Sequence, residues 1–312
     1  MIFVLNEVFA SIVGGKRYEL TSAVWPATPH KTPHKNKQLT INCVNYILNW
    51  TTNSILHFMA QVNSEDEYLE LNDIKQEIYS RQIMMKEIGF DGQQKLGNAS
   101  VLVVGCGGLG APVLQYLTAM GIGHLGLCDG DIVAHSNLNR QLLFGMNDIG
   151  KPKAIIAEKR LLTLNPELKT TVYSQYIDEE KAEKVIPTYD IVVDCLDNFT
   201  TRFILNDACI KYDKPLIHAG IGEFYGQLMT IIPGTGPCLR CLFPGGIEEK
   251  EKKPFGVIGP TPGILGTLQA LEVAKHLLGL TVSNDGLIAY DGLNMTLEKI
   301  SLQANPNCIC RK

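Results

Sequence analysis

Short apolar runs alternate with longer segments of helical periodicity from Asn98 onward. Apolar runs that end close to a glycine or an aspartate are typical of strands buried on both faces of a sheet. They predict strands over residues 100–104, 124–128, 189–193, 216–219 and 227–232. Helical patterns occupy residues 109–120, 158–164 and 265–278. This alternation predicts an α/β fold, a doubly wound and mostly parallel sheet with its sites at the carboxyl ends of the strands.

Residues 1–75 do not share this pattern. They contain both tryptophans, Trp25 and Trp50, and a turn-rich basic stretch over residues 26–37, without a period of two or 3.6. We therefore divide the chain into an N-terminal extension, residues 1–75, and an α/β domain, residues 76–312. Little in the extension could supply a core that offsets its ordering entropy. The alternative is a small module that grips the substrate.

Composition and charge exclude two classes of partner. The 312 residues carry a formal net charge of −4 and contain no basic tract, which argues against binding nucleic acid or an anionic membrane through bulk charge. No apolar run approaches the roughly 18 residues that a membrane-spanning helix needs. The start of the chain is not a good signal peptide. We therefore expect a cytoplasmic protein.

A glycine-rich loop follows the first predicted strand and opens a helix. Gly105, Gly107 and Gly110 form the pattern G-x-G-x-x-G, with Gly108 beside them. Gly105 permits a tight turn, and the next two glycines let the backbone approach a phosphate at the helix N-terminus. Asp129 closes the second strand 24 residues after Gly105, where an acid can accept a ribose hydroxyl. These features predict a Rossmann-like nucleotide site, and alone they favour a dinucleotide oxidoreductase.

Further charged and amide side chains follow successive strands and favour a nucleoside triphosphate instead. They are Asp131, Ser136, Asn137, Arg140, Lys153, Asp197 and Asn198. Arg140 and Lys153 are cations that can neutralise the charge of a triphosphate. Arg140 can do so through two parallel hydrogen bonds and Lys153 as a point charge. Asp197 at a strand end can hold magnesium, a hard cation that prefers carboxylate, water and phosphate oxygens. A nicotinamide cofactor needs no such metal.

The motifs GCGGLG, DGD, SNLNRQ, GKPK and CLDN resemble, in this order, those of the ThiF/MoeB/HesA adenylyltransferases. The segment Tyr79-Ser80-Arg81-Gln82-Ile83, with Gly89 and Gly92-Gln93, is similar to the N-terminal signature of that family. The resemblance covers the chain from about residue 77 to its end. It implies a ThiF/MoeB-like adenylation domain that uses ATP to activate the C-terminal glycine of a ubiquitin-like sulfur carrier (ThiS/MoaD-like), releasing pyrophosphate, for thiamine or molybdopterin biosynthesis.

The same resemblance implies roles for single residues. Gly108 would lie against the phosphates and Asp129 would hold the ribose. Asn137, Arg140 and Lys153 would contact the triphosphate. Asp197 and Asn198 would support magnesium and the reacting phosphate. Arg81 would reach the nucleotide site of the neighbouring subunit in a homodimer.

Four of the nine cysteines form two close pairs. Cys238 and Cys241 form a CxxC motif in a turn, which is the geometry of a zinc knuckle, and Cys308 and Cys310 lie near the C-terminus. The resemblance implies that the second pair completes a structural zinc site. The second pair is CxC here, whereas the bacterial family usually has CxxC. The remaining cysteines lie mostly in or beside predicted strands and helices and are expected in the core: Cys43, Cys106, Cys128, Cys195 and Cys209.

The crossover segment, residues 243–259, contains no cysteine. By the resemblance, a covalent sulfur intermediate would need one there, so we expect adenylation without such an intermediate and a separate sulfur donor. Two alternative functions remain, of which the first shares the adenylation chemistry and the second has no catalytic activity. One is a peptide-modifying adenylyltransferase resembling the microcin C maturation enzyme, with residues 1–75 as a peptide clamp. The other is a non-catalytic scaffold that carries zinc.

Overall fold

The computed structural model describes residues 73–247 and 256–311. Its centre is one eight-stranded sheet with the order β3-β2-β1-β4-β5-β6-β7-β8. The strands are β1 (Ser100–Val104), β2 (His124–Cys128), β3 (Lys169–Tyr173), β4 (Ile191–Asp194), β5 (Leu216–Gly222), β6 (Tyr225–Ile231), β7 (Gly286–Asp291) and β8 (Thr296–Ser301). The first five strands pair in parallel. The last three continue the sheet in antiparallel register.

Helices cover both faces of the parallel part of the sheet. They are α1 (Asp73–Ile83), α2 (Gly89–Asn98), α3 (Gly110–Ala119), α4 (Lys153–Leu164), α5 (Glu179–Val185), α6 (Phe199–Lys211), α7 (Leu239–Leu242) and α8 (Pro260–Leu277). None of these helices is both long enough and apolar enough to cross a lipid bilayer.

Alternate side chains of the central strand enter two separate cores. Val101 and Val103 belong to one buried cluster, and Leu102 and Val104 belong to the other. Because successive side chains of a strand point to opposite faces, a continuous apolar run is required for a strand that is covered on both sides. This is why the local pattern identified β1 so well.

The order of the strands reverses between β1 and β4. The chain runs from β1 outward to β2 and β3, and then returns to β4 on the other side of β1. In open α/β sheets, ligands bind outside the carboxyl ends of the strands at such a switch point. The fold therefore places a site beside Val104 and Asp194, the last residues of β1 and β4.

The predicted α/β class and mostly parallel sheet are confirmed. The sequence pattern missed β3, whose residues Lys169–Tyr173 are mostly polar and only partly buried at the sheet edge. It also missed α6 and the antiparallel strands β7 and β8. The predicted N-terminal extension lies almost entirely outside the described residues, as does most of the charge run in the crossover segment. The division of the chain at residue 75 therefore stays a prediction.

Candidate nucleotide-binding cleft and cysteine cluster

A cleft of about 1600 Å³ opens at the carboxyl ends of the parallel strands. It brings together most of the side chains that the sequence predicted as site residues. Those that line it are Gly105, Gly107, Gly108, Asp129, Asp131, Arg140, Lys153, Asp197 and Asn198. These residues come from segments up to 93 positions apart in the chain, so the sheet topology alone brings them to one edge.

The glycine-rich loop turns sharply between β1 and α3. Gly105 has a φ of +99°, a conformation that side chains disfavour. A Cβ at this position would lie 2.5 Å from the Cys195 carbonyl oxygen. The loop therefore packs directly on the neighbouring β4 turn, and the N-terminal end of α3 faces the cleft as a site for an anion.

Asp129 is held rigidly at the end of β2. The Cys106 backbone N–H donates to its Oδ2 at 2.7 Å, and the Asp131 backbone N–H donates to its Oδ1 at 2.8 Å. Burial raises the pKa of Asp129, although both hydrogen bonds oppose this shift. Each carboxylate oxygen keeps a second lone pair, so the side chain can also accept the hydroxyl of a ribose.

Lys153 is the first residue of α4. It is only 6% exposed, and its Nζ lies 2.8 Å from Asp131 Oδ2. The other oxygen of Asp131 accepts the hydroxyl of Tyr176 at 2.5 Å. Tyr176 also lines the cleft. It was not predicted from the sequence, since it lies in the loop after the unpredicted strand β3.

Arg140 is oriented by its own loop. Its Nη1 donates to the Ser136 carbonyl at 2.8 Å and to Asn139 Oδ1 at 3.0 Å. Ser136 and Asn137 do not line the cleft within the described residues. Asn137 Oδ1 instead accepts the Ala134 backbone N–H at 2.9 Å. In this structure both residues shape the loop that presents Arg140, and direct contact with a nucleotide stays a prediction for them.

Asp197 and Asn198 follow the buried end of β4. Asp197 is exposed and lines the cleft. Asn198 caps α6, since its Oδ1 accepts the Thr201 backbone N–H at 2.8 Å. The cap fixes the backbone next to Asp197, which lines the cleft. A single carboxylate beside a phosphate site suits magnesium, which keeps several of its waters when bound in proteins.

A fully buried charge cluster lies beneath this turn. Asp194 Oδ2 accepts His218 Nδ1–H at 2.6 Å, and Arg202 Nε lies 3.7 Å from the same oxygen. Arg202 Nη2 also donates to the Leu196 and Ala219 carbonyls at 2.5 and 3.0 Å. His218 is 0% exposed and belongs to the core.

The cluster holds opposite charges in the core. Burial raises the pKa of Asp194, but the Arg202 guanidinium and the hydrogen bond from His218 outweigh it, so this pKa lies below its ordinary value. Burial lowers the pKa of His218 more than Asp194 raises it. His218 is therefore neutral, and because an ionised carboxylate only accepts, its proton is on Nδ1.

Arg81 does not line the cleft of its own chain. It lies exposed in the last turn of α1, and within the described residues it has no hydrogen-bond or ion-pair partner. The glutamines of the same motif have a structural role: Gln82 and Gln93 both donate to the Met120 carbonyl at 3.0 Å. They fasten α1 and α2 to the end of α3.

The four predicted zinc ligands form one cluster. Their sulfur atoms all lie within 4.8 Å of one another, although the two pairs are far apart in sequence. Cys238 and Cys308 have their sulfurs 3.5 Å apart, and so do Cys241 and Cys310. A tetrahedral zinc with bonds of about 2.3 Å requires sulfurs about 3.8 Å apart. The CxC pair therefore fits a tetrahedral metal, and Cys310 is buried despite its place near the end of the chain.

The other described cysteines are buried, as predicted: Cys106, Cys128, Cys195 and Cys209. Burial raises the pKa of Cys128 to about 12 and that of Cys195 well above the ordinary value. Both thiols are thus protonated and unreactive at neutral pH. Cys43 lies outside the described residues.

The fold and the cleft together define a nucleotide-binding protein of the doubly wound α/β class. The comparison with known families makes the assignment narrower. The ThiF family model matches residues 79–311. The chain belongs to the ThiF family.

Curated relatives and a solved structure agree with this assignment. The sulfur carrier protein adenylyltransferase of Thermus thermophilus is 42% identical over 241 residues, which cover 74% of this chain and 88% of that protein. The SAMP-activating enzyme E1 of Haloferax volcanii is 42% identical over 244 residues, covering 77% and 90%. The crystal structure of E. coli MccB with ATP superposes with a TM-score of 0.65 at 26% identity, covering 76% of this chain and 74% of that one.

Proposed function

We propose that this protein is an ATP-dependent adenylyltransferase that activates the C-terminal glycine of a ubiquitin-like sulfur carrier. One observation carries the proposal: Arg140 and Lys153 stand beside a glycine-rich phosphate loop in a single cleft. The proposal is supported by relatives that are named as adenylating or activating enzymes. The pathway, thiamine or molybdopterin biosynthesis, is part of the proposal.

The reaction needs charge neutralisation and positioning more than covalent help. The carrier carboxylate attacks the α-phosphorus of ATP, a new O–P bond forms, and the bond to the β-phosphate breaks. Pyrophosphate leaves, and the carrier becomes a mixed acyl-adenylate anhydride. Gly108 and the N-terminus of α3 bind phosphate oxygens, Asp129 accepts a ribose hydroxyl, and Arg140 and Lys153 stabilise the charge on the leaving group.

Asp197, supported by the capped turn at Asn198, is the residue that would hold magnesium. The metal, when bound, would shield phosphate charge and orient the triphosphate. Phosphate oxygens and water would complete the coordination of the metal. Replacing Asp197 by alanine should abolish adenylation and leave the fold intact, because this side chain is exposed.

Arg81 would complete the site of the neighbouring subunit in a homodimer. Its exposure on α1, outside its own cleft, supports this arrangement. An arginine supplied in trans would stabilise the transition state as arginine fingers do in other phosphoryl-transfer enzymes.

Mixed dimers test whether Arg81 acts in the site of the neighbouring subunit. Arg81→Ala and Asp197→Ala proteins should each be inactive, and under subunit exchange their mixture should recover activity, because one site of each heterodimer is whole. A mixture of Asp197→Ala and Lys153→Met should recover nothing, because both residues act within one chain. Lys86→Ala, an exposed cation after α1, is the matched control and should stay active. No recovery in the first mixture would exclude an arginine acting in trans.

The antiparallel part of the sheet supplies the opposite wall of the cleft. Tyr225 and Gln227 of β6 and Leu287 and Ala289 of β7 line it. An extended Gly-Gly tail can lie here and pair through backbone hydrogen bonds, close to Gly256 and Val257, which also line the cleft. Because that segment lacks cysteine, we propose that sulfur comes from a separate donor.

We propose that the four-cysteine cluster binds a structural zinc, and that the enzyme acts in the cytoplasm. The donor set is four cysteine sulfurs within 4.8 Å of one another, which suits a tetrahedral zinc bound by thiolates. The metal would link the short segment that carries Cys308 and Cys310 to α7, and thus to the sheet.

Pyrophosphate–ATP exchange with magnesium tests the proposed function. The full chain should catalyse exchange only when a carrier is added, and a comparison of ThiS-like and MoaD-like carriers should identify the pathway. No exchange with any carrier, in protein that binds ATP, would overturn the carrier assignment. No binding of ATP at all would leave a non-catalytic scaffold.

A peptide-modifying adenylyltransferase is the second candidate. It is favoured by the structural likeness to MccB, a microcin C7 biosynthetic enzyme. On this alternative, residues 1–75 would hold the peptide. Exchange that depends on a peptide rather than on a carrier, and that is lost when residues 1–72 are removed, would support it.

A further inference from the structure

Leu196, the residue before Asp197, is held at both of its backbone polar groups. Its N–H donates to Asp194 Oδ1 at 3.0 Å, and its carbonyl accepts Arg202 Nη2 at 2.5 Å. The two side chains that hold it are themselves an ion pair, since Arg202 Nε lies 3.7 Å from Asp194 Oδ2. The backbone that leads into Asp197 is therefore fixed on both sides of one residue.

Arg202 connects this turn to the rest of the sheet. Its side chain is buried, and the same Nη2 donates to the Ala219 carbonyl of β5 at 3.0 Å. Its guanidinium carbon lies 5.3 Å from the centre of the Phe199 ring, at the start of α6. A guanidinium offers several donors in one fixed plane, whereas lysine offers a single nitrogen on a flexible stem. Lysine at this position would keep the charge and lose the fixed geometry.

Two roles are open to Arg202, because it also lines the cleft. It could contact a phosphate directly, since its Nη1 has no partner among the residues that the structure describes, or it could act through the turn. The second role is favoured by its contacts. The hydrogen bonds and the ion pair of its guanidinium within the described residues go to Leu196, Ala219 and Asp194.

We propose that Arg202 is a positioning residue for magnesium, because it holds the backbone from which Asp197 projects into the cleft. This inference rests on the proposed function, which assigns the metal to Asp197. The cap that Asn198 makes with the Thr201 N–H fixes the following side of the same residue. Hydrogen-bonded residues behind a metal ligand typically change metal affinity by about tenfold to a hundredfold when they are replaced.

Calorimetric titration of the full chain with ATP tests the proposal. One titration contains excess magnesium, and the other uses buffer freed of divalent cations by a chelating resin. The ratio of the two ATP affinities measures the contribution of magnesium, and a purely structural role would not change it. Arg202→Lys should reduce this ratio about tenfold to a hundredfold and leave the affinity without magnesium within about twofold of the wild type.

A double variant tests whether Arg202 acts through Asp197. Asp197→Ala should reduce the ratio at least as much as Arg202→Lys. When both substitutions are combined, the ratio should stay within about twofold of that of Asp197→Ala alone, because residues that act through one contact are not additive.

Arg240→Lys is the matched control. Arg240 also pairs with a carboxylate, Asp207 at 2.7 Å, and lies 4.4 Å from the centre of a phenylalanine ring, Phe203. It does not line the cleft. This variant should keep the ratio within about twofold of the wild type.

Hydrogen exchange in the wild type tests the same contact without a substitution. Leu196 is only partly buried, yet its amide should exchange slowly, because its N–H is bonded to a buried carboxylate. A rapidly exchanging Leu196 amide would overturn the proposal even where Arg202→Lys fails to fold.

The titrations distinguish failure of this inference from failure of the proposed function. Equal weakening of ATP with and without magnesium by Arg202→Lys would mean that the guanidinium contacts the nucleotide directly. An unchanged ratio in Arg202→Lys, with a reduced one in Asp197→Ala, would mean that the turn keeps its geometry without Arg202. Either result would overturn the inference alone. An ATP affinity of the wild type that does not depend on magnesium would instead overturn the assignment of the metal in the proposed function.

Discussion

Replacing Asp194 by asparagine removes one charge from the buried cluster beneath the cleft and keeps the shape of the side chain. The carboxylate is 0% exposed, 2.6 Å from His218 Nδ1 and 3.7 Å from Arg202 Nε. The Leu196 backbone N–H, which donates to Asp194 Oδ1 at 3.0 Å, can still bond to the amide oxygen. Arg202 also keeps its bonds to two backbone carbonyls. The substitution thus isolates the effect of the charge.

The expected magnitude follows from these contacts. Removal of one partner of a buried ion pair destabilises a protein by about 3–5 kcal/mol, because the other charge is left uncompensated. His218 can adapt, since its proton can move to Nε2 and leave Nδ1 to accept the new amide. We therefore expect the lower end, about 3 kcal/mol. For a domain of this size that corresponds to a fall of about 6–12 °C in Tm.

Urea unfolding and thermal melting at pH 7.5 measure this change. Asp178→Asn is the matched control, because Asp178 is an exposed cap of α5 and asparagine is an equally good cap. A loss below about 1 kcal/mol in Asp194→Asn, with an unchanged m-value, would refute the reasoning. It would mean that the carboxylate does not offset the charge of Arg202 in the folded protein.

Three further predictions concern the same structure. Burial lowers the pKa of His218, so below pH about 6.5 only the unfolded chain takes up a proton at this residue. The free energy of unfolding of the wild type should therefore fall as the pH drops below about 6.5, by at most about 1.4 kcal/mol per pH unit from His218. A flat urea midpoint between pH 7 and 5 would contradict this prediction. Lys153→Met should reduce pyrophosphate–ATP exchange about a thousandfold, since a charge about 4 Å from a phosphate contributes about 4 kcal/mol. The Tm should change little, because Asp131, the partner of Lys153, is 47% exposed. Exchange within tenfold of the wild type would exclude a role for Lys153 in binding the triphosphate. Cys310→Ser should lose bound zinc, measured by elemental analysis, and should melt at a lower temperature. The control Cys209→Ser leaves the four-cysteine cluster intact and should retain the metal. Equal zinc content in both variants would exclude Cys310 as a ligand.

The features that sequence reasoning predicted are encoded locally. A continuous apolar run specifies β1 and β4 because both faces of these strands are covered, and the spacing of glycines after β1 specifies the phosphate loop, since only glycine tolerates the φ of +99° at Gly105. The charges that follow successive strands could be assigned to one site, because parallel strands end at one edge of a sheet. Each of these signals is contained in a short stretch of the chain, where spacing along the sequence still corresponds to spacing in the fold.

The remaining features depend on contacts between distant segments. The strand β3 lies at an edge, so burial does not impose an apolar pattern on it, and the loop that carries Tyr176 was missed with it. The pairing of Asp194 with His218 follows from the register of β4 and β5, which neither strand encodes alone. The CxC pair departs from the usual spacing, yet its thiols reach Cys238 and Cys241 because the described chain folds back after β8 to bring them there. The amino-acid sequence by itself determined the fold class and the class of ligand, since periodicity and glycine spacing are local properties; which side chains touch was decided only by the tertiary structure, because contact depends on where distant segments meet.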